Sequence, residues 1–496
     1  MFKKSFIALV TVFFLLPSFS QAGSFGKDDP SGIPGQWYVG TTPSYVAPAK
    51  HPVLFVHGLN SSSNTWWNEN NMYDTAYQNG YETAFVDLYP TKNMWDNGYL
   101  LSQKIRDMYN YFGEKVVVVA HSKGGIDTQS ALVHYGASPY VARVVTLSTP
   151  HYGSQLADLA YSSWAGWLTG ILGSKNDATY SLQTGYMNYF RSQTDNHSNA
   201  RLNHFYTFGG TKWGSFGSSL YWGGLYLKGY GTNDGAVTVN SSKLSYGTQL
   251  SVGTWNHSTI KEGSTTFNLF KNYLNEIPYS SSSFLAQSME PVSINETVGS
   301  FIRGGEFKGK KLESIHVEEG VNEITIDWMS ATPSTELTLK DPTNISQASF
   351  TPEKDTTEYL NGAYHHTVTI TNPASGEWIV EAKSKKNEHY LLHVTFDSPL
   401  NETIRTNLVN DDITFEVNDK NLKMTTEMTI EYYKNGMLKQ GKVKVSKNGE
   451  SYKLPKLGEG VYNMTIEVDG KQNQSKFERT IIKTVYIDAA GNIFHQ

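Results

Sequence analysis

The sequence predicts an α/β domain built on a doubly wound, mostly parallel sheet, followed by one or two all-β sandwich domains. Three observations carry this expectation. In the first half, continuous apolar runs recur about every 30 residues with helical patterns between them. Past Ser280 the apolar period switches to two, the mark of strands with one buried face. Composition changes at the same place: 32 of the 262 residues from Gly23 to Phe284 are Asp, Glu, Lys or Arg, against 53 of the 212 that follow.

In chain order, the first 22 residues, MFKKSFIALVTVFFLLPSFSQA, have the form of a secretory signal. Lys3 and Lys4 precede an apolar run from Phe6 to Leu16, and the small residues Ser20 and Ala22 offer a cut ahead of Gly23. A run of about a dozen residues is too short to cross ~30 Å of hydrocarbon. No other segment approaches spanning length, so a secreted, extracellular protein without a transmembrane anchor is expected.

Residues 23–278 are expected to form the α/β domain. Its strand candidates are VLFV (Val53–Val56), TAFVD (Thr83–Asp87), VVVV (Val116–Val119), RVVTL (Arg143–Leu147) and HFYTF (His204–Phe208). Unbroken apolar runs suit strands covered by helices on both faces. A Ser-rich linker spans 279–291. Alternating runs then mark two accessory β-sandwich domains, expected at 292–398 and, Ig-like, at 399–496: VNEITIDW (Val321–Trp328), HHTVTI (His365–Ile370), GEWIVEA (Gly376–Ala382), DITFEV (Asp412–Val417) and GVYNMTIEV (Gly460–Val468). KNG at Lys434–Gly436 reads as a hairpin turn.

Cysteine is absent, which excludes disulfides, thiolate metal sites and lipid attachment at an N-terminal Cys. Loss of Lys3 and Lys4 with the signal would take the formal charge from −5 to −7, a balance that argues against nucleic-acid binding.

The chemistry centres on Val116–Gly136, VVVVAHSKGGIDTQSALVHYG. A nucleophilic serine needs a base within reach, a group orienting that base, and donors aimed at the oxyanion. A sharp strand–Ser–helix turn with small flanking residues meets these needs. Val116–Ala120 supplies the strand, Gly124–Gly125 the tight side, and the following segment the helix. Ala120 stands where Gly is commoner and adds one methyl. Lys123 directly after Ser122 could suggest a Ser–Lys mechanism, but the lysine-dependent motif spaces the two three residues apart. Residue 123 is instead expected to offer its backbone N–H to the oxyanion, its side chain pointing elsewhere. The competing reading is an ordinary serine in a strand-to-helix turn.

The first strand runs into His57–Gly58–Leu59, so the Leu59 N–H is the expected second oxyanion donor and His57 a structural residue. The chain order Ser, acid, His then selects the base among His134, His151, His197, His204 and His257. His134 lies in the elbow helix, His151 is too near the nucleophile strand, and His204 opens a strand. His257, in VGTWNHSTI near the domain's end, is expected to be the base. Of Asp158, Asp177, Asp195 and Asp234, the last lies in a Gly-flanked turn 23 residues before His257. It is the expected acid.

Taken in order, HGLN, AHSKGG, STPHYGSQLAD, FYTFGGT, NDGAV and WNHS resemble motifs of secreted bacterial true lipases of the α/β-hydrolase superfamily. The A-H-S-x-G form is similar to the Bacillus-type lipases, and the likeness covers His51 to Glu276. It implies a carboxylic ester hydrolase, a lipase or esterase acting on lipid or other esters through Ser122, Asp234 and His257, with an oxyanion hole from Leu59 and Lys123 and no cofactor. In many such lipases an Asp two residues after the catalytic His helps bind calcium; Thr259 stands there, so no metal is expected.

Leu156, Leu159, Ala160, Trp167, Leu168, Ile171 and Leu172 fall at helical spacing on one face, which reads either as core or as an amphipathic lid. Within the same chemistry, a polyhydroxyalkanoate-type polyester depolymerase is the alternative. From a different class, the alternative is a surface-binding protein whose hydrolase domain is inactive.

Overall fold

The structure, a computed structural model, describes residues 32–46, 49–165, 175–276, 296–333, 335–348, 350–355, 362–448 and 451–496. The expected signal segment, the Ser-rich linker and the lid candidates Trp167, Leu168, Ile171 and Leu172 lie outside the described residues.

The α/β domain carries a seven-stranded sheet of β1 (Trp37–Val39), β2 (Val53–Val56), β3 (Thr83–Val86), β4 (Val116–His121), β5 (Val141–Leu147), β6 (His204–Gly210) and β7 (Thr248–Gly253). Their spatial order is β1-β3-β2-β4-β5-β6-β7; β1 runs antiparallel to β3 and every other pair is parallel. The apolar runs map onto five of these strands. Successive side chains of a strand point to opposite faces, so a strand covered on both must be apolar throughout. Val116 and Val118 enter one core with helices α2 (Met94–Phe112) and α3 (Lys123–His134). Val117 and Val119 enter the other with α1 (Met72–Gln78) and the segment holding Phe267 and Phe270. The edge strands β1 and β7 left no such run, because a part-exposed edge such as TQLSVG has no need of one.

The C-terminal region is a set of antiparallel sheets. Seven strands between Ser300 and Asp397 form one sheet, threaded by two long members, Ser300–Val317 and Gly376–Asp397. Their register breaks between Ser384 and Glu388. Trp378 and Val380, before the break, share one core with Trp328, Tyr390 and Phe396. Residues 404–494 form a four-stranded and a five-stranded sheet over a common core of Ile404, Ile413, Met428, Tyr452 and Tyr462. The KNG turn joins Leu422–Lys434 to Met437–Val445. Asn435 (φ 50°) and Gly436 (φ 73°) take the left-handed conformations that a two-residue hairpin requires.

This β-region packs on the α/β domain through apolar and polar contacts. Leu159, Ala165, Trp222 and Tyr226 share a cluster with Met329, Leu391 and Ile482. Tyr161 and Tyr180 meet Tyr433 and Tyr486. Trp164 donates its indole N–H to Glu467. Buried Asp158 accepts from the Thr184 amide (2.9 Å) and the Thr484 hydroxyl (2.8 Å), while its carbonyl accepts from Asn463 (2.7 Å).

Candidate active site

β4 ends at His121 and α3 begins at Lys123, leaving Ser122 alone on the turn with φ 52° and ψ −134°. A side chain at positive φ is strained, and such strain persists only where the surroundings over-determine it. Here the small neighbours do so. A Cβ on Gly124 would lie 2.3 Å from the His57 carbonyl oxygen, and one on Gly58 2.8 Å from Ser122 Cβ. Ala120 is fully buried between helix and sheet, where its single methyl fits. The serine thus stands at the N-terminus of α3, where unpaired amides and the helix dipole favour developing negative charge.

Lys123 follows with its side chain turned away into the protein. Its Nζ meets Asp127 Oδ1 at 2.6 Å, and both side chains are buried. Leu59 lies in the turn that follows β2 and lines the same cavity as Ser122. His57 Nε2 accepts the Leu88 N–H (2.9 Å), so Nδ1 carries the proton and donates to the Gly58 carbonyl (2.8 Å). Both ring nitrogens of His57 are thereby bonded to the loop backbone.

Asp234 and His257 come together as their order along the chain suggested. His257 Nδ1 lies 2.8 Å from Asp234 Oδ2, and the His257 amide donates to the Asp234 carbonyl (3.0 Å). Asp234 Oδ1 accepts from the amides of Ala236 (2.9 Å) and Val237 (2.7 Å) in its own turn. The carboxylate is therefore fixed on three sides. The other acids have different company: Asp158 the threonines above, Asp177 Lys92 (2.8 Å) and Asp195 Arg191 (3.3 Å). His134 bonds Thr194 (3.0 Å) and His204 bonds Thr248 (2.8 Å). Thr259 accepts from the Asn256 amide in a local turn. Among the described residues no three His, Cys, Asp or Glu cluster as a metal site would need.

His121, unremarked in the sequence reading, ties the two halves of the site together. Its Nε2 lies 2.8 Å from the His257 carbonyl oxygen and its ring centroid 4.7 Å from that of His257. Burial, with His257 alongside, holds its pKa well below the ordinary value, so the ring is neutral and Nε2–H donates. The residue before Ser122 thus holds the backbone of His257. No pattern in the sequence could single it out, because the bond spans 136 residues.

Over Ser122 lies an apolar cavity of about 90 Å³. The α/β domain lines it with Leu59, Leu156, Ala157, Leu182, Trp222 and Val237, and the β-region contributes Met329 and Leu391. Alternation places Met329 on a strand face, but nothing in the sequence says which surface that face meets.

A strained serine between a parallel strand and a helix N-terminus, one strand away from a glycine-tight loop, defines an α/β hydrolase. Residues 47–163 match the PGAP1-like alpha/beta domain family, and residues 305–399 match the Hemicentin galactose-binding domain-like family. Over 134 residues the chain is 31% identical to triacylglycerol lipase 2 of Saccharomyces cerevisiae, covering 25% of this chain and 40% of that lipase. Lipase BlEst2 of Bacillus licheniformis, in its propeptide form, superposes with a TM-score of 0.85 at 43% identity, covering 94% of this chain and 100% of that one. The mature form of BlEst2 covers 49% of this chain and 100% of its own at 55% identity, with a TM-score of 0.48. The protein is a carboxylic ester hydrolase, and it belongs to the lipase/esterase family of α/β hydrolases that includes BlEst2.

Proposed function

We propose that the protein is a secreted lipase or esterase, most simply a triacylglycerol lipase, that works through Ser122, His257 and Asp234 by way of an acyl-enzyme. The observation that carries this reading is the His257–Asp234 pair, 2.8 Å apart, held against the strand that ends in strained Ser122. His257 takes the Ser122 proton as Oγ attacks the ester carbonyl, and the amides of Leu59 and Lys123 receive the oxyanion. Collapse expels the alkoxide, which takes the proton from His257. Water, deprotonated by the same imidazole, then attacks the acyl-enzyme and releases the acid. Asp234 holds the ring in the tautomer that puts the lone pair on Nε2, the atom that accepts the serine proton. The apolar cavity suits an acyl chain, and the leader sequence supports export.

The second part of the proposal is that the C-terminal β-region is a propeptide that covers the site. The relative whose match spans 94% of this chain, β-region included, is a propeptide form, and Met329 and Leu391 line the cavity beside Ser122. Pockets that hold drug-sized ligands run to roughly 300–1,000 Å³, so a long-chain ester needs this cover moved. A protease recognition sequence placed within 279–291 and cut after folding tests it. Hydrolysis of emulsified long-chain ester should rise by at least ~100-fold once the two pieces separate, the change expected when a site covered 99% of the time becomes open. Equal rates for intact chain and separated catalytic piece would leave the β-region an accessory domain.

The cover should also loosen with alkalinity. Burial raises the Asp158 pKa from 3.8 to about 6 in the packed state, although Thr184 and Thr484 donate to its carboxylate. A carboxyl whose pKa is higher in the packed state binds its proton there more tightly. Packing is therefore favoured at low pH and weakens as pH rises from 3.8 toward 6, by at most about 100-fold in the dissociation constant. Dissociation constants of the cut pieces measured at pH 4.5 and 7.5 check the sign. Asp158→Asn should flatten the difference.

A further inference from the structure

The ion pair behind the nucleophile turn is hard to explain as a device for stability. Lys123 places a cation in the first turn of α3, at the end where the helix dipole disfavours it. Its side chain and that of Asp127 are almost wholly buried, and buried ion pairs seldom outperform apolar residues of the same volume. The pair does have a continuation. Asp127 Oδ1 holds Lys123 Nζ at 2.6 Å, while Oδ2 accepts from Asn97 Nδ2 on α2 at 3.0 Å. Asn97 in turn accepts the Tyr89 N–H (3.1 Å) and donates to the Tyr89 carbonyl (3.0 Å).

That second bond fixes the loop after β3, and this loop touches the turn after β2 on both sides of Leu59. The Leu88 N–H donates to His57 Nε2 (2.9 Å), and the Pro90 carbonyl accepts the Asn60 N–H (3.0 Å). His57 Nδ1–H then holds the Gly58 carbonyl. In a planar trans peptide the Gly58 C=O and the Leu59 N–H point in opposite directions. Fixing the carbonyl therefore fixes the aim of the Leu59 amide.

We propose that Asp127 is a positioning residue for ester hydrolysis. By holding Lys123 with one oxygen and Asn97 with the other, it sets the separation and aim of the two amides, Lys123 and Leu59, that receive the oxyanion. This rests on the catalytic roles given above to Ser122, Leu59 and Lys123. Asp127 touches no substrate; it acts through the two backbones it ties together. Because the oxyanion forms after the ester binds, the effect belongs to kcat and not to KM.

Two variants test it, each made as the full chain, nicked in the linker after folding, and compared per folded molecule by near-UV circular dichroism. Lys123→Met with Asp127→Leu replaces the pair by apolar side chains and keeps the backbone N–H of residue 123. Asn97→Ala leaves the ion pair intact and cuts only the arm to the Tyr89 loop. On a short soluble p-nitrophenyl ester, each should lower kcat by roughly 10–100-fold, the scale of a misplaced catalytic group, with KM within about threefold of the parent. An alkylboronic acid, whose adduct on Ser122 is tetrahedral and anionic, should lose affinity by the same factor as kcat. If both variants keep parental kcat and boronate affinity while the parent is labelled by a fluorophosphonate on Ser122, the network is structural and the inference falls. If the parent itself takes no label on Ser122, the triad reading fails first.

Discussion

Ser122→Ala should abolish ester hydrolysis, with kcat falling by roughly 10⁵–10⁶-fold and the residue coming from binding and oxyanion stabilisation alone. The geometry makes this a clean substitution. Ser122 holds φ 52° in a tight turn: Gly58 and Gly124 bring backbone close on either side, and its own amide donates to the Leu147 carbonyl at 3.0 Å. Alanine can keep that backbone, so the melting temperature should stay within a few degrees of the parent while turnover vanishes. A fluorophosphonate ester should label the parent at Ser122 and leave the variant untouched. Parental turnover by Ser122→Ala would remove the acyl-enzyme mechanism.

Asp234→Asn should cost about 10⁴-fold in kcat, for a reason readable from its hydrogen bonds. Oδ1 faces the amides of Ala236 and Val237, which only donate, so the oxygen of the new carboxamide must take that place. Its NH₂ group is then forced toward His257 Nδ1. A donor there requires Nδ1 to accept, which moves the ring proton to Nε2. An imidazole with Nε2 protonated cannot take the serine proton. The variant should fold normally, bind substrate with an unchanged KM and react slowly. Proton NMR of the buried imidazole N–H would separate the two tautomers. A wild-type rate would mean that Asp234 only anchors the turn.

Where the sequence was informative, short-range physics explains why. VVVV must be buried on both faces wherever it lies, so a covered parallel strand followed. A serine between that strand and paired glycines could occupy little but a tight turn. Asp234 and His257 could be chosen by their order because the fold returns its later strands to the same end of the sheet. The edge strand β7 escaped notice because exposure relaxes the apolar requirement. His121 and Asp127 escaped because each acts through a partner its own segment does not contain: His257 for the first, Asn97 on another helix for the second.

By itself, then, the sequence determined the covered strands, the order of α/β and all-β regions and the candidate residues for ester hydrolysis. Those depend on the periodicity of burial and on local sterics, both of which are properties of neighbouring residues. Tertiary structure alone decided three further matters. It decided that His121 would hold the backbone of His257. It decided that Asp127 would hold Lys123 with one oxygen and Asn97 of another helix with the other. It also decided that Met329 and Leu391 would lie over Ser122. Each depends on which distant surfaces meet, and packing between remote segments leaves no periodicity in either segment to read.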